Sequence, residues 1–120
     1  MKKGIRYIIL LVLTACLAVS AHAKVDEYSA RRAAQYTREA EYYQKKADSY
    51  RREAEYYLKK AENYEREAAY YTRKGDTDRA KYYQRQAQRA MDDYNYQLRQ
   101  AARADDTAAD YLRRAARLLD

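Results

Sequence analysis

The sequence predicts an all-α chain: a long antiparallel two-helix coiled-coil hairpin with an alanine/tyrosine heptad seam, self-associating into a bundle. Three observations carry this. Alanine recurs every seven residues from Ala33 to Ala68, with tyrosine three places later from Tyr36 to Tyr71. Residues 1–120 contain no proline, and Ala, Glu, Arg and Lys favour helix. The heptad phase breaks once, at the only glycine beyond the first 23 residues, Gly75.

Residues 1–23 read as a signal peptide. Lys2, Lys3 and Arg6 precede an apolar run, and Ala21-His22-Ala23 is a small-x-small cleavage site. The run is interrupted by Thr14, Cys16 and Ser20, whereas a membrane anchor needs ~20 apolar residues. Leu13-Thr14-Ala15-Cys16 also has the form of a lipobox, which makes Cys16 a candidate lipidation site. Because Leu17-Ala18-Val19 continues the apolar run, cleavage after Ala23 is the favoured reading.

Removing the leader is restrictive. It holds three of the 25 Lys+Arg and none of the 18 Asp+Glu, so residues 24–120 carry a net charge of +4 against +7 for the whole. It also holds the single Cys and the single His, leaving no thiolate nucleophile, imidazole base or disulfide beyond it. Neither a metal nor a cofactor is expected, and the chain is not expected to be an enzyme. Glycine loops for phosphate and zinc spacings are absent from the sequence. The Asp92-Asp93 and Asp105-Asp106 pairs read as solvated helix charge rather than as acid–base pairs.

The first long helix is expected over residues 24–74. Residues 39–52 recur as 53–66, a 14-residue period of two heptads, with Ala33, Ala40, Ala47, Ala54, Ala61 and Ala68 at a positions and Tyr36, Tyr43, Tyr50, Tyr57, Tyr64 and Tyr71 at d. A turn is expected at 75–78, with Gly75 in a left-handed position and Asp76, Thr77 and Asp78 as capping candidates. The second helix, 79–120, carries a seam of Ala80, Tyr83, Ala87, Ala90, Tyr94, Gln97, Ala101, Ala104, Ala108, Tyr111, Ala115 and Leu118, widened by Met91, Leu98, Leu112 and Leu119. The seam keeps phase through Asp105-Asp106-Thr107, so one continuous helix is expected. Folding back at the turn would set Tyr64 near Ala90, Tyr50 near Ala104 and Ala61 near Tyr94, large groups against small. A seam of alanines buries little apolar surface, which is the reason to expect self-association, most simply a dimer.

The outer positions hold two candidate sites. Arg31, Arg38, Lys45, Arg52, Lys59, Arg66 and Arg73 form a basic stripe suited to a polyanion such as lipopolysaccharide or teichoic acid. Against that, Glu27, Glu41, Asp48, Glu55 and Glu62 stand four residues ahead of stripe members, the spacing of a salt-bridged solvated face. Tyr28, Tyr42, Tyr56 and Tyr70, with Tyr82 and Tyr96 on the second helix, lie outside the seam. They either thicken the core edge or form a ladder for sugar rings, a protein partner or dityrosine cross-linking. The flanking positions alternate Arg32, Glu39, Lys46, Glu53, Lys60, Glu67 and Lys74, without a matching code on the second helix.

The heptad alanines after the Cys16 motif resemble the alanine-zipper lipoproteins of Gram-negative outer membranes, a likeness that implies a trimeric envelope spacer. The chain departs from them in its d-position tyrosines, its Gly75 break and its Leu118-Leu119-Asp120 end. Ala68, Tyr71, Gly75, Ala80 and Ala87 are similar in spacing to one tetratricopeptide unit, over about 25 residues. The expected function is that of an exported bacterial structural or scaffolding coiled coil of the periplasm or cell envelope, acting through protein–protein or cell-wall contacts. The alternative is a soluble periplasmic binding module or chaperone-like protein that holds a polyanion or client. Homo-oligomerisation is expected, an envelope protein or cell-wall glycan is the candidate partner, nucleic acid is disfavoured, and membrane contact requires acylated Cys16.

Overall fold

The computed structural model describes residues 26–120. The expected leader over 1–23, Cys16 within it, and Lys24 and Val25 lie outside the described residues. The described chain is all-helical, with two long helices in a helical hairpin: α1, Glu27–Arg73, and α2, Thr77–Leu119.

Each helix end has an identifiable cap. Asp26 precedes α1, and its Oδ1 accepts the Tyr28 N–H at 3.3 Å, satisfying one of the first-turn donors. At the other end Gly75 takes φ +78°, its N–H donates to the Thr72 carbonyl at 3.1 Å, and the Asp76 N–H donates to the Tyr71 carbonyl at 3.0 Å. That pair of bonds is a Schellman closure with glycine at its left-handed position. Asp76 then serves a second purpose, because its Oδ1 accepts the Arg79 N–H at 3.1 Å and so caps α2. One residue therefore ends the first helix and begins the second, and Thr77 and Asp78 already belong to α2. α2 runs unbroken through Asp105-Asp106-Thr107.

The hairpin divides into two compact units, one of residues 26–45 with 104–120 and one of residues 46–103. In the first, Ala33 packs with Ala115 and Leu119, and Ala40 with Ala108 and Leu112, an antiparallel order. Tyr36 and Leu118 flank one of these clusters, and Tyr43 and Tyr111 the other. In the second unit the buried hydrophobic residues are all alanines: Ala47, Ala54, Ala61 and Ala68 on α1, and Ala80, Ala87, Ala90 and Ala101 on α2.

One expectation about packing needs correction. Leu98 was expected to widen the seam, yet it is 39% exposed, while Leu112 and Leu119 are buried. The rings meet other rings as well as the alanine clusters that Tyr36, Tyr43 and Tyr111 pack against. Tyr83 lies between Tyr64 and Tyr71 at centroid distances of 6.2 and 5.5 Å, parallel to the latter. Tyr111 likewise lies between Tyr36 and Tyr43 at 5.9 and 5.8 Å. The alanines hold the buried places, and the seam tyrosines stand half-buried beside them.

Candidate functional site

Four of the six tyrosines outside the seam, Tyr42, Tyr56, Tyr70 and Tyr82, are the outward half of paired rings. In the unit of residues 46–103, Tyr70 meets Tyr71 edge to face at 5.1 Å, Tyr71 stacks on Tyr83, and Tyr82 meets Tyr83 edge to face at 5.1 Å. Four rings thus run from one helix to the other beside the turn, the outer two 42% and 49% exposed. Tyr56 meets Tyr57 in the same way at 5.3 Å and is itself exposed, as is Tyr96. In the unit of 26–45 with 104–120, Tyr42 meets Tyr43 edge to face at 5.2 Å, and Tyr43 stacks on Tyr111. Tyr28, Tyr42, Tyr56, Tyr70, Tyr82 and Tyr96 are all exposed, and with Leu98 they make up the exposed large hydrophobic residues among the described residues. Tyr42, Tyr56, Tyr70 and Tyr82 meet an inner ring edge to face while keeping much of their surface in solvent.

A feature the sequence reading did not combine is the cation one turn beyond each outer tyrosine of α1. The Arg32 guanidinium donates to the Tyr28 hydroxyl at 3.1 Å and to the Tyr36 hydroxyl at 3.3 Å. These two bonds, the Tyr36 one the larger, hold the guanidinium pKa above its ordinary value. Lys60 lies over Tyr56 at 5.9 Å, and Lys74 over Tyr70 at 5.1 Å. Lys46 holds the same sequence place after Tyr42. The basic members of the alternating flank are thus the ones that follow an outer tyrosine by four residues, so stacked and charged groups share one edge. The inner rings receive cations too, Arg79 over Tyr71 at 5.4 Å and Arg114 over Tyr111 at 5.3 Å.

All seven stripe residues are exposed. Arg31 pairs with Glu27 at 2.6 Å, Lys59 with Glu55 at 3.7 Å and Arg66 with Glu62 at 4.0 Å. Asp48 chooses Arg51 over the expected Arg52. Exposed pairs of this kind contribute little to stability and leave the cations reachable by an anion. The stripe's first members gather with Tyr28, Arg32 and Gln35 around an open hollow of about 440 Å³, lined also by Arg31 and Arg38. A second open hollow of about 520 Å³, between Ala68, Ala69 and Thr72 of α1 and Ala87 and Met91 of α2, is floored by small groups.

The sequence held a further signal that periodicity alone did not expose. Arg85-Gln86-Ala87, Arg99-Gln100-Ala101 and Arg113-Arg114-Ala115 show that α2 repeats every 14 residues as well. Tyr83 and Tyr111 occupy equivalent repeat positions, and the position midway between them is Gln97, whose Oε1 is buried without a hydrogen-bond partner. Among the described residues no group of three or more His, Cys, Asp or Glu is placed to hold a metal ion, and no helix is long and apolar enough to cross a membrane. Compared with known proteins, the chain matches no family model, no curated protein and no solved structure.

Proposed function

We propose that this protein is an exported structural or scaffolding coiled coil of the bacterial envelope, non-enzymatic, self-associating, and acting through protein–protein or cell-wall contacts. The observation that carries the reading is the division of labour among its side chains. The interior is closed mainly by alanine, with Leu112 and Leu119, while Tyr42, Tyr56, Tyr70 and Tyr82 stand at the edges, each against an inner ring, with 42–59% of their surface exposed. Tyrosine immobilised by a neighbouring ring has little conformational entropy left to lose on contact, which favours recognition over reaction. The leader expected over residues 1–23 supports export, and the heptad seam supports pairing with further helices.

The test combines fractionation with mass spectrometry of the native N-terminus. An envelope-associated oligomer beginning at Lys24 fits the proposal. A freely soluble monomer would remove it, and an acylated Cys16 would replace the free form with a tethered one.

A second reading is favoured by one observation, the gathering of Arg31, Arg32 and Arg38 around Tyr28. Guanidinium groups beside an exposed ring suit an anionic polymer, so the alternative of a polyanion-holding periplasmic module keeps a defined place to bind. Its signature is affinity for lipopolysaccharide or teichoic acid that falls steeply with salt.

A further inference from the structure

We propose that the stacked rings between the helices are oxidative coupling sites: a one-electron oxidant joins Tyr71 to Tyr83, and Tyr43 to Tyr111, as dityrosine links between α1 and α2 of one chain. The inference names a covalent modification that the scaffold reading does not contain. It rests on ring geometry within a single chain and is independent of self-association.

The starting point is which rings the chain uses. Every aromatic residue is a tyrosine, 16 in all, with no phenylalanine and no tryptophan. Phenylalanine stacks equally well in half-buried places, so packing alone does not account for the exclusive choice of phenol. The single cysteine lies within residues 1–23, so beyond them no thiol or indole takes up an oxidising equivalent, and Met91 oxidises by oxygen transfer. The phenols are the one-electron donors.

Geometry selects the pairs. Tyr71 and Tyr83 are parallel, with centroids 5.5 Å apart, and Tyr43 and Tyr111 lie within 16° of parallel at 5.8 Å. A phenoxyl radical carries spin on its ortho carbons, and a small slide within a stack brings two such carbons together. Tyr42–Tyr43, Tyr70–Tyr71 and Tyr82–Tyr83 instead meet at 78–83°, edge against face, and are held so by their shared backbone. Tyr64 and Tyr36 approach Tyr83 and Tyr111 tilted and farther off, at 6.2 and 5.9 Å. The exposed outer rings still take part, because Tyr70 and Tyr82 touch inner rings at 5.1 Å. A radical formed on either passes inward by exchange of an electron and a proton with the neighbouring phenol.

The coupling balances as follows. Two equivalents of a peroxide-driven one-electron oxidant each remove an electron from one phenol, which releases its hydroxyl proton. The two radicals join through a new ortho carbon–carbon bond. The hydrogen on each joined carbon then moves to the oxygen of its ring, restoring both hydroxyls and both aromatic systems. The chain has lost two electrons and two protons, and two oxidant equivalents have been reduced.

The test exposes the dilute mature chain to photogenerated tris-bipyridyl ruthenium(III), with persulfate as terminal acceptor, and reads tryptic peptides by mass spectrometry. Peptides 67–73 and 82–85, and peptides 39–45 and 104–113, are expected joined, each product two hydrogens lighter than the sum and drawn from material that migrates as one chain. Tyr83→Phe keeps the ring without its hydroxyl, so it should lose the first link and retain the second, which controls for folding and dose. Tyr82→Phe should retain both. The linked chain should melt higher than the untreated one, because a bond between the helices restricts the unfolded state. Joining of 67–73 to 82–85 that survives Tyr83→Phe, or coupling found only between separate chains, overturns the proposal.

Discussion

Replacing Tyr83 with alanine removes the ring on which the most contacts converge. Tyr83 touches Tyr64, Tyr71 and Tyr82, at 6.2, 5.5 and 5.1 Å. Aromatic pairs are worth ~0.5–1.5 kcal/mol each beyond their area, so three pairs amount to about 1.5–4.5 kcal/mol. Large aromatic truncations in cores cost ~3–5 kcal/mol, and a half-buried ring belongs at the low end, so the expected loss is about 3 kcal/mol. Tyr82→Ala is the control, because Tyr82 makes one ring contact and is 49% exposed; its expected loss is about 1 kcal/mol. For a chain of this size ~1 kcal/mol moves Tm by about 4–8 °C, so Tyr83→Ala should melt some 12–24 °C lower and Tyr82→Ala only about 4–8 °C lower. Thermal circular dichroism of the mature chain, at one fixed concentration, makes the comparison. Equal shifts for the two variants would refute the argument that inner stacked rings carry the hairpin while outer rings are left for contact.

The other predictions are as follows. Gly75→Ala meets no atom within 4 Å of the added Cβ, so its expected cost of ~1–2 kcal/mol is purely that of the left-handed backbone at φ +78°; chemical denaturation should show it, with Gly75→Asn milder. Asp76→Ala removes the α2 cap and the 3.4 Å ion pair with Arg79, for an expected loss of ~1 kcal/mol, whereas Asp76→Asn keeps the cap and should lose less in the same assay. Burial, helped by Tyr71, Glu67 and Tyr82, raises the Tyr83 hydroxyl above its ordinary 10.0. The neutral hydroxyl therefore favours the fold fully below pH 10 and loses that effect as pH climbs through the folded value, a decline that denaturation at successive alkaline pH values should show and Tyr83→Phe should flatten. Gln97→Leu exchanges a buried amide oxygen without a partner for an apolar side chain of similar size, and equilibrium denaturation should register a gain of about 1 kcal/mol.

The elements were legible because the chain repeats one instruction. Alanine at every seventh place and a lone glycine fix two helices and their corner, and every seam alanine from Ala33 to Ala115 is buried. The ring arrangement was legible in part, because the fold-back that sets Tyr64 near Ala90 also sets Tyr71 near Tyr83 and Tyr43 near Tyr111, the two pairs that stack, while spacing does not give the orientation of the rings. The height at which the helices meet is set at the turn. The Tyr71 carbonyl accepts the Asp76 N–H while the Tyr71 ring lies parallel to Tyr83, so the three-residue corner and the first ring stack are one constraint. The outer tyrosines were legible as a set from their 14-residue recurrence. Their link to Arg32, Lys60 and Lys74 was present in the i to i+4 spacing but was obscured by treating the charges as a separate code.

The choice of tyrosine at the d positions connects stability to recognition. An alanine contributes a single methyl to the interior, whereas each aromatic side chain brings ~150–250 Å² to bury and so dominates the energetics of any interface it joins. Here the alanines take the buried places and the rings take the half-buried ones. A leucine at those edges would leave bare hydrocarbon in water, but a phenol presents its hydroxyl outward and tolerates partial exposure. The hairpin thus keeps, on its own surface, apolar area that a folded monomer does not cover. A partner that covers the outer rings adds burial without reordering them, since Tyr42, Tyr56, Tyr70 and Tyr82 are each already braced by an inner neighbour. In the proposed assembly, stability and association would therefore draw on the same residues, and a substitution that loosens an inner ring is expected to weaken contact at the outer ring beside it.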